Sequence, residues 1–451
     1  MVTDRKYLSK TARIVLCLFG TGLGVSANAQ TPSTTLQSGS TVRHRKIAVE
    51  DPSLPPELVQ AEADIEKKQY SDAEPLLKLV VGRDPKNYQA WFDLGFLYNA
   101  IGRPEDSIAA YRKSIEAKQD VFESNLNLGL MLAKTNQPGA EKYLRAATRL
   151  KPGENVSQNQ ELAWMALGRL LESSNPQEAL LAYRSAAVLV PSDPTPYLAS
   201  APLLEKQNQF AEAEHEYQQV LAIDPKSVPA LIGVARIYAR GNRFTEAGDL
   251  LRQVVAQNPG SAPAHAALAR VLAADGKQDA AISEFEAALK IDPSDRQLQE
   301  ELAQLYTTAG KPADAQALYK SLLAASPNDA ELHHALGQAY MKQHNFPAAQ
   351  QEFLSAVRLK PALGPAYGDL AAAANENKNY DLAIKALDAR AKLMGEIPLG
   401  YFLRATAYDH LRAYKEASLN YHAFLNASKG QYPDQEWQAR HRLITIEPKA
   451  K

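Results

Sequence analysis

The sequence predicts an all-α solenoid of about eleven helix–turn–helix units, closed by a C-terminal capping helix. Three series of positions carry that prediction. Pro225, Pro259, Pro293, Pro327 and Pro361 stand 34 residues apart. Ala213, Ala247, Ala281, Ala315, Ala349, Ala383 and Ala417 recur at the same step, and so do Tyr217, Leu251, Phe285, Tyr319, Phe353, Leu387 and Tyr421. Between these markers, apolar residues return at three- and four-residue steps, the pattern of an amphipathic helix. Each helix is about 12–14 residues long, a length that is marginal alone in water and needs packing against its neighbours.

The chain divides in order into four segments. Residues 1–29 read as a secretory signal peptide, with Arg5, Lys6, Lys10 and Arg13 before a short apolar run, Ile14 to Val25, and Ala27-Asn28-Ala29 as the cleavage pattern. Cleavage falls before Gln30. The apolar run is shorter than the roughly 20 residues a bilayer span requires. Cys17, the only cysteine, lies within it. The exported chain is therefore expected to lack disulfides, thiolate metal sites and cysteine nucleophiles. Removing the signal lowers the basic and acidic counts from 50 and 51 to 46 and 50, a net charge of −4. That balance does not favour nucleic acid or a membrane surface as partner. Residues 30–53, rich in Ser, Thr, Pro and Gln, read as a disordered linker with one small basic cluster, Arg43-His44-Arg45-Lys46.

Residues 54–427 form the repeat array. The first unit, Leu54 to Asn87, keeps Ala73, Leu77 and Pro85 but is otherwise atypical, as a terminal unit should be. The second carries Trp91, Leu94-Gly95, Tyr98 and Tyr111. The third is one residue short near Gln137-Pro138-Gly139. The fourth is entered through an insertion, Gly153 to Gln160, and carries Trp164, Leu167-Gly168 and Tyr183. Pro202 falls inside a helix and should kink or shorten it. Asp224-Pro225 and Asp292-Pro293 mark turns, where the Asp side chain caps the backbone that follows. Residues 428–451 comprise the capping helix, Gln435 to Ile446, and a tail.

The stretch Ala330 to Pro361 shows the whole unit: Leu336-Gly337, Tyr340, Ala349, Phe353, Ala356 and Pro361. In this order and spacing it resembles the tetratricopeptide repeat. The resemblance covers residues 54–427 and implies a right-handed superhelix in which the first helix of each unit, helix A, lines a concave face. It implies further that this face receives a peptide or helix from a partner protein. The family's groove positions fall here on Phe92, Phe96, Asn99, Leu126 and Leu130, an apolar strip. They then fall on Arg169, Arg236, Arg240 and Arg270, and last on Gln304, His334, Gln338, Asn375 and Glu376, a polar set. One reading is a groove that takes an apolar segment at one end and acidic groups at its centre, since arginine's planar fork suits carboxylates. The other is that the apolar residues pack between units and the arginines pair with nearby Glu or Asp. The Lys and Asn clamp by which some members grip a C-terminal carboxylate is missing, because Leu126 and Ile232 stand at its Lys positions.

Catalytic constellations are absent from the sequence. His333-His334 is the only histidine pair, and adjacent helical residues point about 100° apart, so the two cannot face one metal. Glycine-rich phosphate loops and nucleophile elbows are missing too. The expected function is a non-enzymatic scaffold, without cofactor or metal, that binds a protein or peptide ligand in the periplasm or outside a bacterial cell. The alternative is an accessory subunit of an envelope polysaccharide synthesis or export machine.

Overall fold

The structure, a computed structural model, describes residues 54–153 and 155–447. The expected signal peptide, the linker with its basic cluster, and the last four residues of the tail lie outside the described residues. The described chain forms 23 α-helices and no strand, and it falls into two compact units.

The first unit, residues 54–243, holds α1 (Pro56–Glu66), α2 (Tyr70–Arg83), α3 (Tyr88–Ala100), α4 (Pro104–Ala117), α5 (Phe122–Lys134) and α6 (Ala140–Arg149). It continues with α7 (Val156–Leu171), α8 (Pro176–Leu189), α9 (Thr195–Lys206), α10 (Phe210–Ile223) and α11 (Val228–Arg240). The second unit, residues 244–447, holds α12 (Phe244–Gln257), α13 (Ala262–Ala274), α14 (Gln278–Ile291), α15 (Arg296–Thr308), α16 (Pro312–Ala325) and α17 (Ala330–Lys342). It ends with α18 (Phe346–Leu359), α19 (Gly364–Glu376), α20 (Tyr380–Met394), α21 (Pro398–His410), α22 (Tyr414–Ser428) and α23 (Pro433–Ile446). Odd-numbered helices up to α21 are the A helices.

Within each unit the helices pair because small residues let them approach. Gly95, Gly168 and Gly337 sit on A helices, facing the rings of Tyr111, Tyr183 and Phe353. A Cβ on Gly337 would lie 2.5 Å from the Phe353 ring, closer than two carbons can stand. The alanines at the 34-residue step are fully enclosed, Ala213, Ala315 and Ala349 each at 0 % exposure. Around Phe353 the core gathers Leu336, Tyr340, Leu370 and Leu387.

The turns repeat as faithfully as the core. Between an A helix and the next helix, except after α7, one residue adopts positive φ at the same register: Lys68, Gly102, Asn136, Asn208, Asn242, Gly276, Gly310, His344, Lys378 and Arg412. Glycine and asparagine accept this geometry readily, and longer side chains do so at a cost. Between units, the Asp84, Asp224 and Asp292 carboxylates accept the backbone N–H two residues on, at 3.0–3.1 Å.

Two features differ in detail from the expectation, and the helix that holds Pro202 is one residue short, as expected. The insertion before α7 is partly helical: residues 156–160 lengthen α7 to 16 residues, and only the stretch before Val156 remains a loop. Pro202 is tolerated inside α9, a helix of 12 residues where α11 and α13 have 13. The capping helix starts at Pro433, and it is not uniformly polar. Ala439 and Leu443 enter the core beside Phe424, while Trp437 and Ile444 are 54 % and 71 % exposed. Arg442 fastens it to α21 with two bonds to Asp409, at 2.5 and 2.8 Å.

Candidate functional site

The A-helix positions expected to line a groove divide into three kinds of environment. Phe92, Leu126 and Leu130 are core residues, 3 %, 5 % and 4 % exposed, so the expected apolar strip is largely closed. Their helices α3 and α5 are buried on nearly every face, polar residues such as Asn125 and Asn127 included, and Phe92 turns inward against the Tyr111 ring at 5.7 Å. Phe96 and Asn99 are half-buried.

The arginines stay at the surface, but two of them are already engaged. Arg236 on α11 donates to both oxygens of Glu205 on α9, at 2.8 Å each, and to the Tyr217 hydroxyl at 3.1 Å. The same hydroxyl donates to Glu205 at 2.8 Å, which closes a three-membered network. Its burial pushes the Tyr217 hydroxyl well above the usual phenol range, so it stays a donor. In the second unit Arg270 makes the same two-pronged contact with Glu301, at 2.7 and 3.0 Å, and Gln297 adds a third bond at 2.8 Å. Two arginines expected to hold a ligand's carboxylate therefore each hold one of the chain's own. Arg169 and Arg240 are exposed. Arg240 lies 5.3 Å over the Phe210 ring, and the charge of Arg169 acts on Asp193.

The polar positions of the second unit are braced in the same way. His334 Nε2 lies 2.8 Å from Asp369 Oδ2, and Gln338 donates to that oxygen at 2.9 Å. Gln304 is exposed. Asn375 is half-buried with its Oδ1 enclosed and without a hydrogen-bond partner, and burial raises the neighbouring Glu376 carboxyl. Arg270, Gln304 and Gln338 occupy one register, 34 residues apart. A nitrogen donor thus recurs at the same place on three successive A helices.

The carboxylates of this network, Glu205, Glu301 and Asp369, escaped the sequence reading. Their signal is a separation of 31 residues from Arg236, from Arg270 and from Gln338. That distance joins one A helix to the adjacent A helix, and it stands out only once the register is fixed.

Among the described residues no three His, Cys, Asp or Glu side chains are placed to hold a metal ion. No described helix is long and apolar enough to cross a membrane.

The family description "Tetratricopeptide repeat" matches residues 64–124, 204–271, 240–305, 272–339 and 306–362. These segments are tetratricopeptide repeats. They fall within paired helices in each of the two units, and the described chain as a whole is all-α. Among curated proteins, Tetratricopeptide repeat protein 37 of Xenopus laevis is 31 % identical over 80 residues, which span 18 % of this chain and 5 % of that protein's length. Among solved structures, the Cut9–Hcn1 hetero-tetramer of the APC/C is 15 % identical, covering 86 % of this chain and 96 % of that one, with a TM-score of 0.42. A tetratricopeptide repeat protein from Parabacteroides merdae is 17 % identical over 63 % of this chain and 98 % of that one, at 0.41. YrrB, described as a repeat protein with an unusual peptide-binding site, is 19 % identical over 41 % of this chain and 95 % of that one, at 0.34.

Proposed function

We propose that this chain is a non-enzymatic scaffold that binds a partner polypeptide along its A-helix face in a bacterial cell envelope. Tetratricopeptide arrays typically mediate protein–protein interactions and are generally non-enzymatic. The observation that carries the reading is the constant register of Arg270, Gln304 and Gln338. Two of the three are held by carboxylates on adjacent repeats, so little side-chain entropy remains to be lost when a ligand arrives. A side chain repeated at one helical position offers hydrogen bonds at even intervals. That arrangement suits an extended peptide, whose main-chain groups recur at even intervals too. In the first unit acidic groups of the ligand are read by Arg169 and Arg240, because the fork of Arg236 is already filled.

The envelope assignment rests on the basic residues, apolar run and Ala27-Asn28-Ala29 of the first 29 residues. The binding reading is tested by affinity capture from envelope extract, with mature protein as bait beside a variant carrying Arg240→Glu and Gln304→Glu. Both positions are exposed, so the variant keeps its core. The reading expects a partner captured by the first bait and lost from the second. Equal capture by both baits would move binding off the A-helix face.

A further inference from the structure

In the first unit, α8, α9 and α10 line an open cavity of about 420 Å³ that none of the groove positions lines. Its apolar wall is Ala187, Val188, Pro191 and Pro196, and Tyr183, Arg184, Tyr197, Ser200 and Glu216 complete it. Glu216 is only 9 % exposed. Register explains why a carboxyl is buried there and why space remains beside it.

Tyr197, His265 and His333 occupy equivalent A-helix positions, two repeats apart in each step, and Glu216, Glu284 and Glu352 occupy the equivalent positions on the helices that follow. In the two histidine repeats the ring bridges two acceptors. His265 Nδ1 lies 2.7 Å from Glu284 and its Nε2 lies 3.2 Å from the Pro259 carbonyl. His333 repeats this with Glu352 at 2.6 Å and the Pro327 carbonyl at 3.1 Å. The carboxylate at this register therefore accepts a nitrogen donor wherever histidine is present. In the third case tyrosine replaces histidine, and its ring carries no N–H. Ala187 also stands where the histidine repeats have Val255 and Leu323, which removes further volume.

Glu216 has the Ser200 hydroxyl beside it, and Arg184, which also lines the cavity, acts on it by charge while its own fork is turned to Glu212. Burial raises its carboxyl. Ser200, Arg184 and His215 pull it down and Glu212 opposes them, and the net direction is upward. Arg184 at the rim is itself engaged by Glu212, at 2.9 Å.

We infer that this cavity is a second binding site, one that takes a lysine or arginine side chain of a partner polypeptide. The aliphatic stem covers Ala187, Val188, Pro191 and Pro196, and the charged head reaches Glu216, in the place that the imidazole nitrogen fills in the histidine repeats. A peptide fits better than a free amine because α8 continues the apolar surface outside the mouth. Leu181, two turns before the wall residue Val188 on that helix, is 59 % exposed, and a residue flanking the basic one would cover it. The inference is independent of the A-helix reading, since the two sites share no residue.

The test is fluorescence anisotropy on the full mature chain, with the labelled peptide acetyl-Ser-Leu-Lys-Leu-Ser-amide as probe and its norleucine counterpart as control. Glu216→Gln keeps shape and removes charge, and Tyr197→His supplies the nitrogen found in the other two repeats. Each variant should weaken lysine-peptide binding at least about tenfold while melting as a folded protein, and the norleucine peptide should bind wild type as poorly. Binding by both variants within about twofold of wild type would overturn the site. No binding by wild type would also overturn the assignment to a partner. If binding then appeared on changing Arg43, Arg45 and Lys46 to Ala, the occupant would be the chain's own basic segment.

Discussion

Gly337 shows most plainly how a single residue sets the packing. Its missing Cβ makes room for the Phe353 ring at 0 % exposure. Gly337→Ala should cost about 1–3 kcal/mol by overpacking, read as a lower melting temperature, and an unchanged melt would contradict the contact. Glu161 is a different kind of residue-scale feature. Burial, together with a hydrogen bond and the charge of Asp193, lifts its carboxyl to about 8. Desolvation alone would raise Asp193 too, but the Thr195 hydroxyl and amide and the bond from Glu161 outweigh it and hold Asp193 low. Because the folded-state value of Glu161 stands above its ordinary 4.5, its stabilising contribution is complete below about pH 4.5 and is lost as pH climbs toward 8. Glu161→Gln mimics the protonated form. The variant should match wild type near pH 4.5 and exceed it by about 1–3 kcal/mol at pH 8. Denaturation at the two pH values measures this, and a difference independent of pH would contradict it.

At the scale of the element, the sequence was most legible where one position repeats one physical demand. The alanine and aromatic series at the 34-residue step became the helix contacts, and the Asp-Pro turns became side-chain caps. Less legible was anything that depends on the azimuth of a side chain within a helix rich in apolar residues. Phe92, Leu126 and Leu130 sit at positions that face a groove in a helix with one apolar stripe. On α3 and α5 nearly every face is buried, and the same positions turn into the core. The pairing of Arg236 with Glu205 was hidden for another reason. Thirty-one residues separate them, and no local pattern links two A helices until the repeat has fixed the register. The turns carry a prediction of their own. Lys378 and Arg412 adopt φ of +60° where Gly276 and Gly310 serve the same turn elsewhere. Lys378→Gly and Arg412→Gly should each leave stability unchanged or raise it by up to about 1 kcal/mol, the relief of left-handed strain less the added chain entropy. Losses larger than that in chemical denaturation would mean that the side chains contribute contacts of their own.

At the scale of the whole molecule, a repeat array has no single core to present an active site, and its distinctive surface is the face where one helical position recurs. That face carries the proposed function, and the cavity beside Glu216 adds a second point of attachment chosen by charge. The envelope setting makes a separate prediction. Intact-mass spectrometry of protein from the envelope should show a chain beginning at Gln30, and retention of residues 1–29 would overturn the export signal. The central claim is that a partner polypeptide lies along the A helices. Its most direct measurement is site-specific photocrosslinking in cells, with a benzoyl-phenylalanine at Gln304 on α15 and, separately, at Lys290 on α14, both exposed. The account predicts a crosslinked protein from position 304 and none from 290. Crosslinks from 290 alone would place the partner on the other face and contradict it.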